Sequence, residues 1–276
     1  MAESISYQIL IKAPKSTRFI SIDSQNNSQW TPHENINIHL KELLNMTIYP
    51  HGHIYNDQVT SSRISSTKAH AKGVLLWNDA EIMWLIHSVP KWPLSISSTS
   101  LPDSGILYGQ SFIELKFPIN HLESILNHLS IMNVNIYFSM LTNNRPQENV
   151  NTLILDEYSL SETISHVAKS RKWKHDLYDD FLVPLFGGGE MNIECWMRPT
   201  GKDTLHGNNV EIIRWPDGTT YNETRDHSKF GVSKFGAFVY MGDLNHQASQ
   251  AKRGGGGIII KNAMVWNRMR ELIHKE

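Results

Sequence analysis

Two stretches of this 276-residue chain follow one plan, and that plan limits the fold more than anything else in the sequence. Each opens with a histidine and a lysine two residues apart, His70-Ala71-Lys72 and His227-Ser228-Lys229. After His70 comes an apolar run from Val74 to Trp77, an Asn78-Asp79 turn signal, and a second run, Ile82 to Ile86, leading into His87-Ser88. After His227 comes Phe230-Gly231-Val232, a turn signal at Lys234-Phe235-Gly236, and Phe238 to Met241 leading into Gly242-Asp243. From histidine to polar end is 17 residues in the first stretch, His70 to His87, and 16 in the second, His227 to Asp243. The repeat predicts a duplicated strand-turn-strand unit. The polar, proline-broken segment 142–149 predicts the junction, so the halves are expected at 1–145 and 146–276, fused into one compact unit.

Helix signals lie between the strand signals. Asn120 can cap a helix from Leu122 to Leu129, and Ser159 with Glu162 can open one through Ile164 and Val167. Val265, Trp266, Met269, Leu272 and Ile273 recur at helical spacing and predict a closing amphipathic helix on the core. A hairpin is expected from Glu211 to Trp215, turning at Asp217-Gly218. Strands alternating with helices predict an α/β sandwich.

The paired triplets carry the chemistry. An imidazole can attack phosphorus or protonate a leaving oxygen, and an ammonium two residues away can hold a non-bridging phosphate oxygen. His70, Lys72, His227 and Lys229 together supply an attacker, an acid and two cations. His87, Ser88, Gln110, Asp243 and Asn245 stand at or near the polar ends of the strand runs, suited to orienting an imidazole or donating to phosphate. Lys252-Arg253-Gly254-Gly255-Gly256-Gly257 reads either as a backbone nest for an anion or as a flexible loop. His51-Gly52-His53 has no third ligand at a suggestive spacing and reads as an exposed loop; His166, His175 and His246 read as solvated. Lys169, Arg171, Lys172 and Lys174, interleaved with Trp173, read equally as a track for a nucleic-acid backbone and as a solvated basic face.

Composition bounds the partners. No stretch approaches the roughly 18 apolar residues of a membrane-spanning helix. A formal net charge of −1 gives no attraction for a polyanion at neutral pH, but protonating all 14 histidines would add 14 charges and bring it to +13. Acid would make the chain basic. One cysteine, Cys195, cannot form an internal bridge, and residues 1–8 have neither a basic nor an apolar leader region, so the expectation is residence in the cytoplasm or export by another route, not a lysosomal or disulfide-bonded form.

Six ordered motifs resemble one family. They are Tyr55-Asn56-Asp57-Gln58, His70-Ala71-Lys72-Gly73-Val74-Leu75-Leu76, Trp84-Leu85-Ile86-His87-Ser88-Val89-Pro90 with Tyr108-Gly109-Gln110-Ser111, Asp226-His227-Ser228-Lys229-Phe230, Gly242-Asp243-Leu244-Asn245, and Arg253-Gly254-Gly255-Gly256. In this order they resemble the deoxyribonuclease II family, the acid endonuclease branch of the phospholipase D-like superfamily. The resemblance implies a phospholipase D-like α/β fold of two pseudo-symmetric α/β/α halves, each carrying one His-x-Lys motif at a shared central cleft. It implies an acid, metal-independent endonuclease on DNA, expected double-stranded, that works through a phosphohistidine and leaves 3′-phosphate and 5′-hydroxyl ends. No cofactor, metal or membrane partner is expected, and the protein is expected to be a monomer or homodimer. Asp226 joins the supporting residues on this ground, and Arg253 gains a claim to DNA contact. The alternatives are a phospholipase D-like phosphodiesterase on lipid or another substrate, and a catalytically lapsed DNA-binding or effector protein.

Overall fold

The computed structural model describes residues 5–44, 47–58, 67–95, 99–140, 155–186, 189–196 and 207–274, with 97, 144, 146 and 153 singly. Of the expected junction, 142–149, only Asn144 and Pro146 are among them. The molecule is a mixed α/β structure dominated by strands. Strands β1 (Ser6–Lys12), β2 (Phe19–Asp23), β3 (Thr31–His33), β4 (His51–Asn56), β5 (Lys72–Trp77), β6 (Glu81–His87), β7 (Gln110–Pro118) and β8 (Ile136–Met140) form a sheet in the order β3-β2-β1-β7-β6-β5-β4-β8. Strands β9 (Leu155–Ser159), β10 (Ile164–Lys169), β11 (Met191–Glu194), β12 (Gly207–Asn209), β15 (Phe230–Ser233), β16 (Phe238–Gly242) and β17 (Gly255–Lys261) form a second, ordered β12-β11-β15-β16-β17-β10-β9. Between β12 and β15 in the chain, β13 (Ile212–Arg214) and β14 (Thr220–Asn222) form a hairpin that joins the terminal β18 (Ile273–His274). Its turn carries Gly218 at φ +87°, a conformation glycine adopts without a side-chain clash.

Strand runs such as Val74-Leu75-Leu76-Trp77 are continuously apolar because both sheet faces are covered. Leu75, Trp77, Ile82 and Trp84 pack inward with Phe230, Val239 and Ile258 of the second sheet. Helices α3 (Leu122–Met132) and α5 (Ala263–Glu271) contribute Leu129 and Val265 to that shared core. The alternate residues Val74, Leu76, Met83 and Leu85 point to the other face, where Ile36 and Leu40 of α1 (Ile36–Leu43) cover them. The short α2 (Asp103–Leu107) lies in the connection into β7. On the far face of the second sheet, Ile193, Tyr240 and Ile259 pack under Tyr178 and Val183, from the wide helical turn Tyr178–Leu182 and α4 (Val183–Leu185). Among the described residues no helix is long and apolar enough to cross a membrane.

Several expectations change here. The segment Ile164–Lys169 is strand β10, not a helix: it lies between β9 and β17 with every residue buried, and ladder pairing on both sides outweighs the local capping signal. His51-Gly52-His53 begins β4, with His53 fully buried, so it is no exposed loop. His166 and His246 are buried, while His175 is exposed as expected. The glycine run enters β17 with no left-handed residue, so it forms no nest. A Cβ at Gly254 would lie 2.0 Å from the Met132 carbonyl and one at Gly256 2.1 Å from that of Val167, so these glycines allow close backbone packing. The closing helix is present as α5, capped by Asn262.

Candidate active site

The triplets sit where strands begin. Lys72 opens β5 and Lys229 immediately precedes β15, so each histidine lies just outside the ladder. Because β5, β6 and β7 run antiparallel, the start of β5, the end of β6 and the start of β7 share one sheet end. That brings together His70, Lys72, His87, Ser88 and Gln110. The antiparallel run β15-β16-β17 does the same for Asp226, His227, Lys229, Asp243, Asn245 and Arg253.

The two sheet ends meet. The His70 N–H donates to the Gly254 carbonyl at 2.9 Å, and the His227 N–H donates to that of Gly109 at 2.9 Å, so each triplet is held by the other sheet. The Lys229 N–H donates to Ser111 Oγ at 3.1 Å, and a parallel bridge joins Gly109 to Asp226. Nδ1 of His70 lies 2.6 Å from the Asp243 carbonyl, which can only accept, so Nδ1 carries the hydrogen and Nε2 keeps its lone pair. The His227 ring is stacked on Tyr108, with centroids 4.3 Å apart and planes at 10°, and is flanked by Trp196 at 4.6 Å.

Asp57 organises the surroundings of His70 and Lys72. Its carboxylate pairs with Lys72 Nζ at 2.7 Å and with Arg253 Nη2 at 3.1 Å, and lies 3.9 Å from His70 Nε2. Burial alone would raise this carboxyl, but Lys72, His70 and Arg253 outweigh it and hold it well below the usual carboxylate range. Arg253 also donates to the carbonyls of Lys68 and Ala69, fixing the approach to His70. The ammonium of Lys229 donates to its own triplet's His227 carbonyl at 2.7 Å.

Electrostatically the site is one unit. Burial holds His227 down to about 3, helped by Lys229 and by Lys72 of the other sheet. Burial holds His70 well below its ordinary value, with Lys72 and Lys229 adding to the effect. Lys229 is lowered to about 8 by burial and by Lys72. Asp243 is raised to about 7 by burial, against the pull of Lys72. Asp226 is raised by burial, although the Ser228 N–H donates to it at 2.8 Å.

Buried polar atoms without a partner among the described residues gather here: His87 Nε2, Gln110 Nε2, His227 Nε2, Asp226 Oδ2, Asp243 Oδ1, Asn245 Oδ1 and both oxygens of Glu194. Ser88 donates to Gln110 Oε1 at 2.6 Å, which leaves the amide nitrogen of Gln110 free to donate elsewhere. Such groups cost free energy unless something fills them.

All eleven residues expected from the sequence lie at the joined ends. Sequence reasoning missed Asp57, Glu194, Tyr108, Ser111 and Trp196. The Tyr55-Asn56-Asp57-Gln58 and Tyr108-Gly109-Gln110-Ser111 motifs marked three of these positions without a role, and nothing local marked Glu194 or Trp196. The expected acid charging also shrinks. Burial leads in holding His33, His70, His87, His121, His128, His166 and His227 below the ordinary imidazole value, so these resist protonation. Asp176, Asp179 and His246 form a cluster with ligand atoms within 4.8 Å, the one group among the described residues with metal-holding geometry. His246 Nε2 there is already hydrogen-bonded to Asp179 at 3.0 Å.

Two imidazoles and two ammoniums meeting between two sheets are the equipment of a phosphoryl-transfer enzyme. The deoxyribonuclease II family model matches residues 2–276, and the chain belongs to that family, whose members are endonucleases hydrolysing phosphodiester bonds. It is 29% identical over 264 residues to deoxyribonuclease-2 of Caenorhabditis elegans, a match covering 87% of this chain and 68% of that protein. Cell-death-related nuclease 7 of the same organism is 30% identical over 241 residues, covering 77% of this chain and 65% of that protein. Deoxyribonuclease-2-beta of Mus musculus is 30% identical over 247 residues, covering 79% and 69%.

Proposed function

We propose that the protein is an acid, metal-independent endonuclease on double-stranded DNA that works through a phosphohistidine and leaves 3′-phosphate and 5′-hydroxyl ends. The observation that carries this reading is the meeting of His70, Lys72, His227 and Lys229, with each lysine acting on the other half's histidine. We further infer a phospholipase D-like arrangement of two pseudo-symmetric halves, 1–145 and 146–276. Three features support it: the matching β7-β6-β5 and β17-β16-β15 runs, the reciprocal His70–Gly254 and His227–Gly109 bonds, and a pair of buried lysines. Lys12 ends β1 and donates to the carbonyls of Ala13, Ser16 and Ile106; Lys169 ends β10 and donates to those of Gln250, Ala251 and Arg253.

In the first step the Nε2 lone pair of His70 attacks phosphorus, the bond to the 5′-oxygen breaks, and His227 protonates that oxygen. Lys72 and Lys229 hold the non-bridging oxygens where charge gathers. In the second step water gives a proton to the now neutral His227 and attacks phosphorus, the phosphorus–nitrogen bond breaks, and 3′-phosphate leaves. The hydrogen bond from His70 Nδ1 to the Asp243 carbonyl supports His70 as the attacker. His227 must be protonated to act as acid, yet burial and two ammoniums hold its proton off in the free protein. A phosphodiester anion seated between those ammoniums offsets their field, so DNA and a proton enter together. Acid favours that uptake, and the rate is expected to follow a bell with its optimum at about pH 4.5 to 6.

Plasmid nicking in excess EDTA at pH 5 and pH 7.5, beside a lipid-hydrolysis assay, tests the reading. Nicking at pH 5 alone, with no lipid turnover, is expected. A rate maximum above neutrality or a dominant lipid activity would remove it.

A further inference from the structure

The basic stretch around Trp173 is not used by the chemistry, yet it is built into the fold with care. Lys169 turns inward and is fully buried, its ammonium bound to the carbonyls of Gln250, Ala251 and Arg253. Trp173 packs against the outer cluster of the second sheet, with Lys169 Nζ 5.6 Å from its ring centroid. These two anchors pin the 170–174 turn against the 250–253 turn. The remaining cations, Arg171, Lys172 and Lys174, then meet Lys252 around an open basin of about 770 Å³, where Asn133 is the one other lining residue among the described residues.

Among the described residues no carboxylate lines the basin and none of these four cations is in an ion pair. In a chain whose formal charge is −1, four cations around one concavity are not a sample of average surface. Like charges gathered without counter-ions raise the local potential and favour an anion with several charges over a single small one. The basin also adjoins the site. Lys252 precedes Arg253, which holds Asp57 and the Lys68 and Ala69 carbonyls beside His70, and Lys68 Nζ donates to Asn133 Oδ1 at 2.8 Å.

We propose that this basin is a second DNA-binding site, which holds the phosphodiester backbone of the duplex outside the bond being cut. It rests on the nuclease reading above and supplies what the buried histidines do not, a concave surface lined by four cationic side chains. A phosphate backbone fits better than an anionic lipid surface, because a concavity flanking the site follows a strand leading away from the scissile phosphate, whereas a bilayer meets a protein through a protruding face.

The test is the triple variant Arg171→Gln/Lys172→Gln/Lys174→Gln, with Lys252→Gln on the opposite wall as an independent second variant. Binding of a 30-base-pair duplex is measured across salt concentration, and turnover of bis(4-nitrophenyl) phosphate reports chemistry without a backbone. The triple variant is expected to bind the duplex at least about tenfold more weakly, with a salt slope shallower by about 0.9 for each phosphate that it no longer neutralises. Lys252→Gln should flatten the slope by about one such phosphate, and turnover of the small diester should stay native in both. Duplex affinity and salt slope unchanged in both variants, or small-diester turnover falling in step with duplex binding, would overturn the proposal. So would loss of binding to phosphatidylserine vesicles with DNA binding intact. If the native protein binds the duplex through these residues but does not cut it, the nuclease reading fails and the binding site stands.

Discussion

Replacing Asp57 by asparagine probes the charge balance of the site with little change of shape. Asp57 is 2% exposed and is the shared counter-ion of Lys72 at 2.7 Å and Arg253 at 3.1 Å. Removing one partner of a buried ion pair leaves the others desolvated and uncompensated, which costs about 3–5 kcal/mol. At about 2–4 °C per kcal/mol for a chain of this size, the melting temperature should fall by about 6–20 °C. The pH dependence carries a sign. The folded-state pKa of Asp57 is depressed, so its contribution is present above the unfolded value of about 3.9 and is lost as pH falls through the folded one. The gap between native and Asp57→Asn melting curves should be constant from pH 7 to 5 and narrow below about pH 4. The unbalanced cations should also make inorganic phosphate stabilise the variant more than the native protein. Differential scanning fluorimetry across pH, with and without phosphate, measures both effects. A variant melting within about 2 °C of native at pH 6, with no added response to phosphate, would refute the reasoning.

Further outcomes follow from the same geometry. His70→Ala and His227→Ala should each abolish plasmid cleavage with far-ultraviolet circular dichroism unchanged, because attacker and acid act in one step; substantial activity in either removes the two-half mechanism. Lys72→Ala and Lys229→Ala should each lower turnover by about a hundredfold or more through weaker transition-state stabilisation, and an unchanged rate at saturating DNA would refute that role. Excess EDTA should leave cleavage intact, and a chelator-sensitive rate restored by one divalent ion would contradict the mechanism, with Asp176, Asp179 and His246 the first residues to examine. His70, His87, His166 and His227 have depressed folded-state pKa values, so the stability they confer is complete above about pH 6.5 and is lost as pH falls, toward about 3 for His227. The melting temperature of the free protein should therefore drop between pH 7 and pH 4, and a flat or rising curve would show that these imidazoles are not held neutral.

The amino-acid sequence by itself determined the repeated unit. The runs after His70 and His227 became strand pairs β5-β6 and β15-β16 because a short continuous apolar run, bounded by turn chemistry at Asn78 and Gly236, is a local property. The closing helix was legible for the same reason, and so were the polar strand ends that the two sheets bring together. Local signals failed where partners come from afar. Ser159 and Glu162 suggested a helix, but β9 and β17 claim the following residues for a ladder. Four glycines suggested a nest or a loose loop, but the carbonyls of Met132, Val167 and Met241 pressing on Gly254, Gly256 and Gly257, with the Leu244 side chain on Gly255, explain them. Histidine count predicted an acid-charged surface, but charge depends on hydration, and burial removes it from many of these imidazoles. The tertiary structure alone decided that Asp57 should join Lys72 to Arg253, 196 residues further along the chain. It alone broke the likeness of the triplets, with a carboxylate near His70 and aromatic rings on His227. Residue type and spacing fix what a side chain is able to do, whereas its proton, its counter-ion and its solvent are set by neighbours that only folding brings within reach.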